Sequence, residues 1–243
     1  MSTDRTRRFV LPGIQDLNKD QDAALALPEG GQHLVIGGPG TGKSVVTLLR
    51  ARRLLNAKMG FRFLVYNRLL ATSNRYLFGS EEITVSTWDQ WFRKLWENRF
   101  KSGVPCLSAL DNSTYRPIDW GAATQWLNER ADAIPPLKDS PTIVIDEGQD
   151  MPPAFYNALA QIGFENFYVA ADQNQQIHPD KCSSRQDIEN ALATETSATL
   201  ELTRNYRNTR PIAMLARHFY PDDPASPRPD LPAASASAMR PEM

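Results

Sequence analysis

Residues 33–44 read His33-Leu34-Val35-Ile36-Gly37-Gly38-Pro39-Gly40-Thr41-Gly42-Lys43-Ser44. An apolar strand runs into a complete G-x-x-x-x-G-K-[ST] loop, and Val45 to Leu55, rich in Val, Leu and Arg, continue as a helix. The order carries the reading. Backbone N–H groups of such a turn, with the positive end of the following helix dipole, form a cradle for polyphosphate. In it, Gly37, Gly38, Pro39, Gly40, Thr41 and Gly42 shape the loop. Lys43 reaches the β- and γ-phosphates and the Ser44 hydroxyl ligates Mg²⁺. A glycine-rich hairpin would explain the glycines but not the strand before them and the helix after. The expected ligand is a nucleoside triphosphate.

The rest of the chain continues the alternation outward from this loop. Arg62–Tyr66, Glu82–Ser86, Thr142–Ile145, Asn166–Ala170 and Thr199–Leu202 are short apolar strand candidates. Helical stretches fall between them near Leu69–Leu77, Ala122–Ala131 and after Pro152-Pro153. Strands of this kind separated by helices imply an α/β fold, a parallel sheet flanked by helices on both faces. Trp88, Trp91, Phe92, Leu95 and Trp96 recur at i, i+3, i+4, i+7 and i+8, one apolar helix stripe. Such a stripe reads first as core; Trp88, at its start, is the ring to test for base stacking.

A second chemical motif is Ile143-Val144-Ile145-Asp146-Glu147-Gly148-Gln149-Asp150. Two acids directly after a buried strand suit phosphoanhydride hydrolysis beside a phosphate cradle. Asp146 would share the Mg²⁺ with Ser44, and Glu147 would orient and deprotonate the attacking water. A solvated acidic turn is the plain alternative, and the Gly-rich loop tips the balance against it.

Composition bounds the rest. At 243 residues, 41% hydrophobic and 23% charged, with a formal net charge of −1, the chain is an ordinary globular protein with no global basic field. A nucleic-acid partner would have to be held by a local patch. Met1–Arg8 is polar with no apolar run after it, so neither a signal peptide nor a membrane span is expected. Cys106 and Cys182 lack metal-ligand spacing and read as free thiols, which with the rest makes the cytoplasm the expected address. His33 and His218 do not suggest ligands, and Arg5, Arg7 and Arg8 read as a solvated end. Residues 221–243 hold six prolines among Ala, Ser and Asp and are expected to be a disordered tail or truncated linker.

From about Leu17 to Ile212 the chain resembles the first RecA-like lobe of superfamily 1 helicases of the UvrD/Rep type. Leu17-Asn18-Lys19-Asp20-Gln21 is similar to the Q motif, which implies that Gln21 reads the adenine edge. Residues 37–44 match motif I. Val65-Tyr66-Asn67-Arg68-Leu69-Leu70-Ala71 resembles motif Ia, and Thr84-Val85-Ser86-Thr87-Trp88 another DNA-contacting threonine motif. The resemblance therefore places Asn67, Arg68, Thr87 and Trp88 on single-stranded DNA. Asp146 to Asp150 match motif II, with Gly148 where many members carry Ala. Ala171-Asp172-Gln173-Asn174-Gln175-Gln176-Ile177 resembles motif III, with Ala171 in place of the usual Gly. It implies that Gln175 senses the γ-phosphate, and His178 stands where the family often has an aromatic DNA contact. Leu202-Thr203-Arg204-Asn205-Tyr206-Arg207 is similar to motif IV, implying that Tyr206 stacks on adenine and Arg207 clamps the γ-phosphate.

Departures from the family pattern carry expectations too. Only about fifty residues separate Trp88 from Thr142, so the insertion expected near 100–140 is reduced. No match to motifs V and VI, which belong to a second RecA-like lobe, follows Arg207. The domain reading is thus one lobe over 1–220. The implied function is the ATP- and Mg²⁺-dependent ATPase lobe of a DNA helicase or single-strand translocase. It would need a partner lobe or the rest of the protein, and by itself would hold single-stranded DNA weakly. Two other readings stay open: a nucleotide-dependent DNA- or protein-binding module without motor activity, and an inactive remnant of a split helicase gene.

Overall fold

Six strands, all parallel, form one sheet in the order β3-β2-β4-β5-β1-β6. They are β1 (Gln32–Gly37), β2 (Phe61–Val65), β3 (Val85–Thr87), β4 (Thr142–Ile145), β5 (Phe167–Ala171) and β6 (Leu200–Leu202). This is a computed structural model, and it describes residues 13–78, 83–109, 114–173, 182–220 and 228–232. The helices are α1 (Lys19–Ala26), α2 (Lys43–Asn56), α3 (Arg68–Phe78), α4 (Trp88–Phe100), α5 (Trp120–Glu129), α6 (Pro153–Ile162), α7 (Arg185–Ala191) and α8 (Arg210–Arg217). The architecture is the expected α/β arrangement, a parallel sheet flanked by helices.

The period of two along each strand sorts side chains into two cores, one per sheet face. Leu34, Ile36, Leu64, Ile143, Ile145, Phe167 and Val169 pack under α4, α5, α6 and α7. Val35, Phe63, Val65, Val144 and Tyr168 pack under α1, α2 and α3. A strand buried on both faces must be apolar throughout, which is why β4 and β5 read as continuous apolar runs.

Helix ends are set by local chemistry. Asn18 and Gln21 close a capping box on α1, with Asn18 Oδ1 accepting from Gln21 N at 2.7 Å and Gln21 Oε1 from Asn18 N at 3.1 Å. Pro153 opens α6, and Gly163, at φ 106°, ends it in the left-handed conformation. The region of the expected insertion supplies an antiparallel bridge, Cys106 to Ile118, and then α5 on α6.

The tryptophan stripe is core. Phe92 and Trp96 are fully buried, and Trp96 packs on Phe100 and Trp126. Trp88, singled out above for base stacking, is half-buried: it stacks on Trp120 at 6.1 Å and meets Phe155 edge-on at 5.3 Å. Its ring has aromatic neighbours within the protein, because α4 lies against α5 and α6.

Within the Pro-rich stretch the described residues are 228–232. Residues 228–232 run beside the end of β6: Arg204 and Asp230 form a parallel bridge, and Asp230 N donates to Thr203 O at 2.6 Å. Arg210 and Arg217 hold the carbonyls of Pro232 and Pro229. Among the described residues, no helix is long and apolar enough to cross a membrane.

Candidate functional site

Because every strand is parallel, all the C-terminal strand ends lie on one edge of the sheet, where α/β proteins bind ligands. The phosphate loop leaves β1 there, Asn67 and Arg68 follow β2, and Thr87 ends β3. Asp146 and Glu147 follow β4, and Asp172 follows β5. Strand order brings them together: only β5 separates β1 from β4, so the ends of those two strands stand about 10 Å apart.

The loop depends on its glycines. Gly40 (φ 79°) and Gly42 (φ 91°) adopt left-handed conformations that L side chains rarely take. A Cβ on Gly40 would come within 2.7 Å of both Asn205 Oδ1 and Arg207 Cβ, and one on Gly42 within 2.3 Å of Gln21 Nε2. Two distant segments therefore close on the loop. Gln21, 5% exposed, donates through Nε2 to Thr41 O at 3.0 Å while its Oε1 caps α1. The amide given to adenine by the sequence resemblance here ties α1 to the loop.

On the other side Tyr206 N donates to Gly40 O at 2.8 Å. Asn205 Oδ1 accepts from the backbone N–H of Arg207 and Asn208, at 3.0 and 3.1 Å, folding this segment into a tight turn. The turn aims Arg207 into the cleft and leaves the Tyr206 ring 48% exposed beside the loop, with the Arg204 guanidinium over it at 5.3 Å.

Lys43 is buried. Its Nζ donates to Gly37 O at 2.8 Å and Gly38 O at 3.1 Å and pairs with Asp172 at 3.0 Å. Asp172 N in turn donates to Gln149 Oε1 at 2.8 Å, and Gln149 Nε2 donates to Glu147 Oε2 at 2.9 Å. One buried amide thus links the two acids that face the loop. Gln149 lay inside a quoted motif, yet only the fold shows what it touches.

Glu147 itself sits at φ 58°, ψ 49°, an uncommon conformation for a non-glycine residue and one that clusters at functional sites. Burial pushes the Asp146 carboxyl well above its ordinary range, and the Glu147 charge adds to this. A hydrogen bond from Ser44 and the nearby Lys43 charge act in the opposite direction. Asp146 Oδ1 has no hydrogen-bond partner among the described residues. An orphaned, buried carboxylate oxygen beside a serine hydroxyl fits a hard divalent cation such as Mg²⁺. The cleft between loop and acids encloses about 230 Å³ and is lined by Gly40, Lys43, Ser44, Asp146, Glu147 and Arg207, and by Leu70, Ser73 and Asn74 of α3. That last wall was not legible as a site from the sequence.

For the nucleic-acid candidates, Asn67 Oδ1 accepts from Leu70 N at 2.9 Å and caps α3, with Arg68 exposed beside it. The register pairs Val65 with Thr87, which puts these residues next to one another at the sheet edge. Gln175 and His178 lie outside the described residues.

No protein-family model matches the chain, and no curated protein does. Among solved structures it is similar to Pif1 helicase from Candida albicans, with a TM-score of 0.46 and 15% identity over 83% of this chain and 43% of that one. It is also similar to Bacteroides Pif1 bound to ssDNA (0.43, 13%, 82% and 44%) and to Bacteroides sp Pif1 in complex with ADP-AlF4 (0.41, 13%, 83% and 45%). The chain spans less than half the length of each of these, and all three are Pif1 helicases rather than the UvrD/Rep type.

Proposed function

We propose that this chain is the ATP-binding lobe of a superfamily 1 DNA helicase or single-strand translocase, built on the UvrD/Rep motif pattern. The observation that supports it most is the meeting, at one sheet edge, of the phosphate loop after β1, the acid pair after β4 and Arg207 held on Gly40.

Loop amides and Lys43 would hold the β- and γ-phosphates, and Lys43 would exchange Asp172 for them. Ser44 and Asp146 would hold Mg²⁺, which supplies charge neutralisation at the phosphates when bound. Glu147 would take the proton of the attacking water, its carboxylate oriented by Gln149. Arg207 would stabilise charge on the terminal phosphate. Tyr206, exposed beside the loop, would stack on adenine, and Gln21 would read the base with the second Nε2 hydrogen and the second Oε1 lone pair that its present bonds leave over. Asn67, Arg68 and Thr87 offer a short polar row for single-stranded DNA. α8 leaves Ile212, Met214 and Leu215 exposed, apolar surface that suits cover by a second lobe.

Calorimetric titration with Mg·ATP tests the reading. Wild type should bind, and Lys43→Ala should lose at least about tenfold in affinity. Lys43→Ala also leaves Asp172 buried without its cation, so its melting temperature must be measured alongside. Unchanged affinity in a folded Lys43→Ala protein would refute the assignment; equal affinity for ATP, GTP and CTP would refute only the adenine roles.

A further inference from the structure

The cleft has one wall that no motif covers. Helix α3 contributes Leu70, Ser73 and Asn74 to it, opposite Lys43, Ser44, Asp146 and Glu147. Asn74 is 4% exposed, and its Nδ2 has no hydrogen-bond partner among the described residues. Its neighbour one turn back, Ala71, is buried in the apolar core under α2 and α3. An apolar side chain at position 74 would continue that core. Instead an amide stands there with an unused donor, and buried donors are left unpaired only at an energetic loss.

The chemistry of the cleft says what the donor is for. Asp146 and Glu147 make one side of it anionic, so a polyphosphate entering the cleft needs donors on the sides the acids do not occupy. Lys43 and Arg207 supply charge, and the loop supplies backbone N–H groups. We propose, resting on the nucleotide-binding reading above, that Asn74 is a further γ-phosphate contact: Nδ2 donates to an oxygen of the terminal phosphate. A neutral amide adds a directed hydrogen bond without another charge. The contact exists for a triphosphate and not for a diphosphate. It also ties the nucleotide state to α3, the helix that Asn67 caps and Arg68 opens.

The test needs no turnover. Affinities for Mg·ADP and for a slowly hydrolysed Mg·ATP analogue are measured by calorimetry on wild type, Asn74→Leu and Asn74→Asp, with melting temperatures taken without nucleotide. Asn74→Leu should weaken the triphosphate about tenfold, the worth of one charge-assisted hydrogen bond, and leave ADP unchanged. Asn74→Asp should weaken the triphosphate further, since its carboxylate repels the phosphate. A purely structural amide would change the melting temperature and shift both nucleotides together or neither, and that result overturns the proposal. Should Asn74→Leu not fold, Asn74→Ser, which is smaller and still polar, carries the same comparison. Loss of ADP and ATP binding by wild type alike would bring down the nucleotide reading itself. Retained binding with an unaltered ATP-to-ADP ratio in the variants would remove only the role of Asn74.

Discussion

At the scale of single residues the site is a set of buried charges waiting for counter-charges. Lys43 and Asp172 pair with each other, whereas Asp146 and Asp150 each keep one oxygen without a hydrogen-bond partner among the described residues. Burial, then the Glu147 and Asp172 charges, push the Asp150 carboxyl up from 3.8 to about 6. In the unfolded chain that carboxyl loses its proton near its ordinary value, while the folded protein keeps it to about 6. Between the two values the native state binds more protons, so stability falls as pH rises and stays lower above about 6. Asp150→Asn is neutral throughout and is expected to be more stable than wild type at pH 8 by about 1–2 kcal/mol, with the gap closing towards pH 4. Urea denaturation at both pH values measures this, and a gap independent of pH would contradict it. For the neighbouring acid the expectation concerns chemistry. Glu147→Gln should still bind Mg·ATP yet lose hydrolysis, because an amide cannot accept the water's proton. Phosphate release at the wild-type rate would exclude Glu147 as the base.

At the scale of elements, the turn after β4 is squeezed between β5 and α6. A Cβ on Gly148 would stand 2.4 Å from Val169 Cγ1 and 2.9 Å from Tyr156 Oη, while Tyr156 Oη donates to Gly148 O at 2.7 Å. Glycine at position 148 is thus required by this packing. Gly148→Ala should destabilise the fold by about 1–3 kcal/mol, the range for overpacking a tight core. Val169→Ala in the same chain should recover part of that loss, which a double-mutant cycle on thermal or urea unfolding would show. Additive losses would mean the strain lies elsewhere.

At the scale of the whole molecule the expectations rest on the proposed one-lobe reading. The cleft's described cations are Lys43 and Arg207, and the net charge of the chain is −1. A further arginine from a second lobe is worth about 10³–10⁵ in rate in related phosphoryl-transfer enzymes. Residues 1–243 alone should therefore hydrolyse ATP slowly, bind single-stranded DNA weakly with affinity falling as salt rises, and separate no duplex. Strand displacement with and without ATP decides it: robust unwinding by this chain alone would end the one-lobe reading.

Local pattern determined a good deal of this protein. The strand, loop and helix at residues 33–55, the apolar run before Asp146 and the helical stripe from Trp88 are each signalled within a dozen neighbouring residues, and each formed where its periodicity placed it. Such signals depend on backbone geometry and short-range burial, which sequence spacing reports directly. Tertiary structure alone decided what those pieces meet. The strand order that sets β4 one strand from β1 could not be read from any window. Nor could the contact of Gln21 with the loop, the bridge of Gln149 between Glu147 and Asp172, the place of Asn74 in the cleft wall, or the ordering of Asp230 against Thr203. Gln21 and Thr41 lie 20 residues apart along the chain and Gln149 and Asp172 lie 23 apart, while Asn74 shares its cleft with Lys43 and Asp146 from other elements. A polar side chain carries no local mark of the partner that will satisfy it; the closure of the sheet and its two cores makes that choice.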